Sequence, residues 1–236
     1  MGTRPEVNPG QLPTKSFERM FESSASMVAM TALQFSLLDV DTDIEPRPLD
    51  LVRRTRLSDG AWIDLCPGWM SGADELFDRL AHRVSWHAEE RQMYERVVSV
   101  PRLLSFYGEQ DVLPDPALDD AKRLLDAHYA PELGEPFRTA GLCLYRDGRD
   151  SVAWHGDTIG RSRTEDTMVA IISLGAPRAL LLRPRGGGRA LRHNLGHGDL
   201  IVMGGSCQRT WEHAVPKTAR PVGPRISIQF RPRGVR

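Results

Sequence analysis

Residues 137–158 read FRTAGLCLYRDGRDSVAWHGDT. Two short apolar runs, 140–146 and 151–155, flank a polar turn at Asp147-Gly148. Runs of this length bounded by turn residues read as β-strands. The same texture continues towards the C-terminus, with runs at 167–174, 178–183, 199–203, 210–215 and 225–231. They are separated by Arg185-Gly-Gly-Gly188, Gly196-His-Gly198, Gly204-Gly205 and the stretch from Pro221 to Pro224. Many short strands at even spacing predict a β-sandwich or jelly roll. Upstream of Pro136 the texture is helical. Ser71-Gly-Ala-Asp74 resembles a capping pattern ahead of Leu76, Phe77, Leu80 and Val84, which recur at helical spacing. Asp115 precedes a proline at the first helical position, and Leu118, Leu124, Leu125 and His128, which ends it, continue that helix. The expected class is mainly β (α+β), with an N-terminal helical layer on a C-terminal β-sandwich.

Composition narrows the function classes. A chain of 236 residues with 40% hydrophobic and 26% charged residues is large enough for a packed core. No apolar stretch reaches the length of a membrane-spanning helix, and the N-terminus lacks the apolar segment of a secretory signal. Cys66, Cys143 and Cys207 are too few and too scattered for a disulfide framework or a cysteine zinc site, so a cytoplasmic location is expected. There is no internal repeat. The glycines at 186–188 lie between strand-like runs and do not open a helix, so they are no phosphate loop. Residues 1–30 are polar and rich in Pro, Gly and Ser, and read as a disordered extension, with a short helix possible over 15–30. Residues 31–236 are expected to form a single domain with its β core at about 137–231.

The charges balance overall but not locally. Arg178–Arg236 carries eleven Arg and one Lys against Asp199 and Glu212, a net charge of +10, so residues 1–177 carry −10. A basic C-terminal quarter fits a polyanionic partner, the alternative being a solvated arginine-rich surface.

The chemistry concentrates in His155-Gly-Asp157. Residues two apart in a strand share a face, so this imidazole and carboxylate aim at one point. His213, in Thr210-Trp-Glu-His213, is the candidate third ligand. Two histidines and one carboxylate on one face of a metal form the facial triad of non-haem Fe(II) oxygenases. His82, His87, His128, His193 and His197 compete for the third position and read better as structural or surface residues. Arg225-Ile-Ser-Ile-Gln-Phe-Arg231 alternates, with Arg225, Ser227, Gln229 and Arg231 on one face. Arginines inside a sandwich are costly unless each meets an anion, which a dicarboxylate co-substrate supplies through the guanidinium fork. Taken alone, the strand reads better as an edge with a wet polar face. The HxD…H set reverses that preference.

These residues resemble the AlkB family of Fe(II)/2-oxoglutarate-dependent dioxygenases over about residues 90–231. Pro101-Arg-Leu-Leu-Ser-Phe-Tyr107-Gly108, Tyr145-Arg-Asp-Gly148, His155-x-Asp157, His213 and Arg225-x5-Arg231 occur in the family's order. The resemblance implies a double-stranded β-helix, the jelly roll. It implies iron on His155, Asp157 and His213, and 2-oxoglutarate with its far carboxylate on Arg225 and a hydrogen bond from Tyr145. Ser227 shares that face, and Arg231 is expected near the other end of the co-substrate. The activity implied, with O2 as the oxidant, is dealkylation of N-alkylated bases in DNA or RNA, yielding succinate, CO2 and an aldehyde. An extruded base needs an aromatic partner. Tyr107 is the first choice, then Arg102 and Tyr94, with Trp86 and Phe106 read as packing residues and Arg161 and Arg163 near the phosphates. Two positions depart from the family. Cys143 stands where relatives carry an Asn, and Ile159 stands where they often carry an acid, which Glu165 or Asp166 would have to replace.

The Ile159 departure leaves open a dioxygenase of the same fold acting on a protein or small molecule. A catalytically silent nucleic-acid- or clamp-binding module is a further alternative, against which the intact ligand set argues. A zinc hydrolase leaves the arginine strand unexplained. Gln34-Phe-Ser-Leu37-Leu38 resembles the pentapeptide by which bacterial repair proteins bind the replication sliding clamp, although packing of Leu33, Leu37 and Leu38 on the domain is the preferred reading.

Overall fold

The computed structural model describes residues 43–93, 96–158 and 160–235. The expected extension over residues 1–30, the Gln34–Leu38 peptide, Tyr94 and Ile159 lie outside this set, as does the side chain of Arg161. Residues from Asp43 onward form one compact unit. Among them no helix is long and apolar enough to cross a membrane.

Among the described residues twelve strands form two antiparallel sheets. In chain order they are β1 (Arg53–Arg56), β2 (Ala61–Cys66), β3 (His87–Met93), β4 (Arg96–Tyr107), β5 (Thr139–Tyr145), β6 (Val152–His155), β7 (Val169–Gly175), β8 (Arg178–Pro184), β9 (Leu191–Leu195), β10 (Asp199–Gly205), β11 (Trp211–Val215) and β12 (Arg225–Arg231). The larger sheet runs β1-β2-β10-β7-β12-β5-β4-β3, and the smaller runs β6-β11-β8-β9. From β5 onward the chain switches between the sheets, which makes the jelly roll. The space between them is filled by one face of each, including Val169, Ile171, Leu180, Leu182, Ile201 and Trp211. This alternation is why the short runs read as strands from sequence.

The helices α1 (Ala73–Arg83) and α2 (Pro116–Leu133) belong to the larger sheet's other side. Helix α1 contacts β7. Helix α2 is tied to β2 by the Tyr129 hydroxyl, which donates to Asp64 at 3.0 Å. Asp64 is buried and also receives both Nε and Nη2 of Arg54 at 2.8 Å.

Three expectations need correction. The N-terminal half is not helices alone, because β1 to β4 extend the larger sheet at both edges. β1 is exposed throughout and β2 almost wholly buried, so neither shows the alternation that marks a strand. Ser71 does not cap α1. The cap position is Gly72 at φ 58°, and the Ser71 hydroxyl donates instead to the carbonyls of Asp43 and Glu45. Helix α2 does not end at His128 but runs through Pro131 to a left-handed Gly134, while its Asp115 cap accepts from the Ala117 N–H as expected. A last helical turn, α3 (Cys207–Thr210), links β10 to β11.

Candidate active site

β6 and β11 are neighbours, and their pairing sets His155 directly opposite His213. The two rings lie 4.2 Å apart between centroids. β6 ends at His155, so Asp157 does not reach the site by strand alternation. The chain turns instead, with Thr158 N–H donating to the Gly156 carbonyl at 2.8 Å. Gly156 is required there. A Cβ at this position would lie 2.4 Å from the Gln208 carbonyl oxygen. The Gln208 side chain in turn accepts from the Asp157 N–H at 2.9 Å, and the Ser162 hydroxyl donates to the Asp157 carbonyl.

One ligand atom from each of His155, Asp157 and His213 lies within 4.8 Å of the others, and this is the only such group among the described residues. His155 Nε2 is 3.8 Å from Asp157 Oδ1. His155 Nδ1 is 2.8 Å from the Ala153 carbonyl. A carbonyl only accepts, so Nδ1 carries the proton and Nε2 keeps its lone pair for a metal. Burial raises the Asp157 carboxyl, but the Arg231 guanidinium and the two imidazoles outweigh it and bring the pKa to about 2. Burial, reinforced by His155, pushes His213 down to about 3. At neutral pH the site therefore offers an ionised carboxylate and a neutral buried imidazole, the protonation states that a metal needs. Two nitrogens and one oxygen suit Fe(II) and leave the other coordination positions open.

A cavity of about 480 Å³ adjoins the triad. β12 lines it with Arg225, Ser227, Gln229 and Arg231, as the alternation predicted, while Ile226, Ile228 and Phe230 are wholly buried on the other face. Arg225 is 1% exposed. Its Nε donates to the Ser173 hydroxyl at 2.8 Å, and its Nη1 finds no partner. Tyr145 lies beside it, with the guanidinium carbon 5.3 Å from the ring centroid. Burial, then the Cys143 thiol, pushes the Tyr145 phenol up to about 12, so it stays protonated and able to donate. An unpartnered guanidinium edge in a buried cavity calls for an anion. A dicarboxylic keto acid fits that demand. Arg231 is spoken for, since its Nε donates to Asp157 Oδ2 at 3.0 Å. Sequence reasoning missed Arg178, which is buried and donates to the Asp147, Asp150 and Pro216 carbonyls, fastening the loop after β5. Its only signal was a charge at the head of an apolar run.

A second, more open cavity of about 660 Å³ shares Arg102, Cys143, Gln229 and Arg231 with the first. Its outer wall includes His87, Glu89, Leu104 and Phe106. Here the aromatic assignment reverses. Phe106 is 53% exposed and lines the cavity, whereas Tyr107 lines neither cavity. The register explains this. Phe106 pairs with Gly141 and Leu104 with Cys143, on the cavity face, while Tyr107 pairs with Ala140 on the opposite face. Arg102 lies in the shared wall, its Nη1 donating to the Ser151 carbonyl at 3.2 Å. Asp166 lines neither cavity and is held by Arg209. The competing histidines stay off the metal site. His82 donates to the Asp78 carbonyl, His128 packs edge-on against Tyr129, His197 accepts from Gly175 N–H, and burial pushes His193 down.

Residues 71–231 match the family model described as the 2OG-Fe(II) oxygenase superfamily. The human protein named alpha-ketoglutarate-dependent dioxygenase alkB homolog 3 is 30% identical, over 79% of this chain and 73% of its own length. The Bos taurus protein of that name is 31% identical, over 72% of this chain and 65% of its own. The human DNA oxidative demethylase ALKBH2 is 26% identical, over 67% of this chain and 68% of its own. Among solved structures, that of OsALKBH1 superposes with a TM-score of 0.53 at 14% identity, covering 76% of this chain and all of that one. A 2OG-Fe(II) oxygenase-family oxidoreductase from Burkholderia pseudomallei gives 0.52 at 11%, covering 73% of this chain and 86% of that one. These two likenesses concern the jelly roll alone. With the triad, the unpartnered arginine and these sequence matches together, the chain belongs to the AlkB family of Fe(II)/2-oxoglutarate-dependent dioxygenases.

Proposed function

We propose that the chain removes N-alkyl groups from bases of DNA or RNA by oxidation. The observation that carries this reading is the wall shared by the two cavities. It sets an open, aromatic-edged chamber directly against the buried one that holds the triad. His155, Asp157 and His213 would hold Fe(II), and Arg225, with Tyr145 and Ser227, the far carboxylate of 2-oxoglutarate. Bound iron with its keto acid and O2 supplies the oxidising power that hydroxylates an N-alkyl carbon while 2-oxoglutarate becomes succinate and CO2. The hydroxylated carbon then leaves as an aldehyde: its O–H gives up the proton, C=O forms, the C–N bond breaks and the electron pair of that bond stays on the base nitrogen.

The chain's own residues supply position. A base inside a duplex is out of reach, so the target nucleotide is extruded or already single-stranded. The ring of Phe106 offers it a stacking face, and Arg102 a charged edge in the shared wall. Tyr94 and Arg161 remain candidate contacts, and the +10 C-terminal quarter suits the phosphates. The relatives named above as dioxygenases and as a DNA demethylase support this substrate class. Cys66, Cys143 and Cys207 are all buried and unbridged, which supports a reducing, cytoplasmic setting.

The test is turnover of methylated DNA and RNA oligonucleotides with Fe(II) and 2-oxoglutarate, followed by mass spectrometry. Formaldehyde should appear in step with succinate and vanish in His155→Ala. Succinate production with no alkyl group lost from any methylated base would sink the substrate assignment and leave the oxygenase intact.

A further inference from the structure

The inward row of β12 holds a residue that neither the metal nor the anion accounts for. Gln229 stands between Ser227 and Arg231, with its carboxamide bonded at both ends. Nε2 donates to the Ser227 hydroxyl at 3.0 Å and to Cys143 Sγ at 3.4 Å, while Oε1 accepts from Arg231 Nη2 at 3.0 Å. Arg231 then donates through Nε to Asp157 Oδ2 at 3.0 Å. A continuous line of hydrogen bonds thus runs from the middle of β12 to a metal ligand. Space for it is made by Gly141, the cross-strand neighbour of Gln229. A Cβ at Gly141 would lie 2.9 Å from Arg231 Nη1 and 3.5 Å from Gln229 Oε1.

We infer that Gln229 is a positioning residue for the oxygenase reaction, acting through Arg231 to hold Asp157 in its metal-binding pose. The chemistry requires a neutral acceptor with a donor on its other end. The Arg231 side chain is 13% exposed, so water does little to fix its planar fork. The amide oxygen takes one edge of the guanidinium without competing for its charge, which remains directed at Asp157. The amide nitrogen is anchored by Ser227 and Cys143 and cannot swing away. A carboxylate at this position would draw the guanidinium off Asp157 and add a negative charge to the cavity that must accept an anionic keto acid. An aliphatic side chain would leave one edge of Arg231 without its acceptor. Gln229 also lies in the wall common to both cavities, so the same amide separates the metal side from the open side. The inference rests on the oxygenase assignment and is independent of which substrate enters the open cavity.

The test is a binding cycle that needs no turnover. Co(II) is titrated into the wild type, Gln229→Leu, Arg231→Leu and the double variant, with the visible spectrum reporting both affinity and ligand geometry. Gln229→Leu is expected to weaken Co(II) binding about tenfold and to alter the spectrum, with no further loss when Arg231→Leu is already present. Additive losses would overturn the inference, because Gln229 would then act independently of Arg231. Gln229→Glu keeps the shape and guards against a folding failure of the leucine variant. It is expected to fold, to bind Co(II) more weakly, and to bind 2-oxoglutarate more weakly in the Co(II)-loaded protein. Wild-type affinities in that variant would equally overturn the inference.

Discussion

Replacing Arg225 with Met separates the anchor of the co-substrate from the stability of the fold. The guanidinium is 1% exposed, holds one hydrogen bond to Ser173, and leaves Nη1 without a partner. Burial also presses its pKa below the ordinary arginine value. In the unliganded protein this is a cost, since an unsatisfied buried donor is worth about 1–3 kcal/mol of destabilisation. In the proposed complex the same group would face a carboxylate, and deleting one member of a buried charge pair costs about 2–5 kcal/mol. Taking about 3 kcal/mol, the dissociation constant for 2-oxoglutarate rises roughly 150-fold. The assay is thermal unfolding of the anaerobic Fe(II)-loaded protein, with and without co-substrate at about one hundred times the wild-type Kd. Binding then stabilises the wild type by about 2.7 kcal/mol, and the variant by about 0.3 kcal/mol. For a chain of this size those values correspond to a rise in Tm of roughly 5–10 °C in the wild type and about 1 °C in the variant. Without co-substrate, the variant is expected to melt at or above the wild-type temperature, because it has lost a strained charge and gained an apolar side chain of similar reach. Retention of the full ligand-induced shift would refute the anchor. A large fall in the unliganded Tm would refute the reasoning differently, by showing the guanidinium to be satisfied within the chain.

Phe106→Ala is expected to raise KM for a methylated oligonucleotide about tenfold or more, the loss of one base–aromatic stack, while substrate-independent turnover of 2-oxoglutarate stays unchanged. An unchanged KM would return the aromatic role to another residue. Tyr129→Phe removes the hydroxyl that donates to buried Asp64 and is expected to cost about 1.5 kcal/mol, read as a Tm lower by roughly 3–6 °C with activity retained. In the metal-free protein, stability is expected to fall in acid. His213 has its folded pKa at about 3, below its unfolded value of about 6.5, so its contribution is lost as pH falls from the upper value towards the lower. Asp157, held at about 2 against about 3.9 unfolded, adds its loss below that higher value. Thermal melts between neutral pH and about pH 4 check this, and a profile that does not fall over that interval in the wild type contradicts the buried, neutral state of His213.

The parts of this molecule legible in its sequence are those where residue type and geometry are locked together. A metal ligand must be one of a few side chains, so His155, Asp157 and His213 announce themselves, although the loop at Gly156 rather than strand alternation delivers Asp157. β12 alternates because one face borders the cavity and the other is wholly buried, and that period survives in the letters. What failed to show was decided by long-range pairing. β1 is exposed on both faces and β2 buried on both, so each lacks a period that a local reading can detect. The choice between adjacent aromatics, Phe106 and Tyr107, is fixed by which β5 residue each faces. β3–β4 pairing slips in register across the stretch containing Pro101, so no count of residues from the motif predicts the phase.

The two arginines of β12 illustrate the same limit at the level of charge. In the alternation of the strand alone they are equivalent, sharing a face and a polar context, and only the family resemblance assigns the far carboxylate to Arg225. The fold separates them through their partners. Arg231 is bonded to Asp157 and Gln229, so its charge is used in holding a metal ligand ionised. Arg225 has only neutral partners, the Ser173 hydroxyl and Tyr145, and an unpartnered edge in the cavity. The strand therefore presents one neutralised guanidinium at the metal end and one unneutralised guanidinium at the far end, with Ser227 and Gln229 as neutral groups between. That polarity favours placing one carboxylate of a keto acid at the far end, because of the two arginines of β12 only Arg225 still lacks an anion.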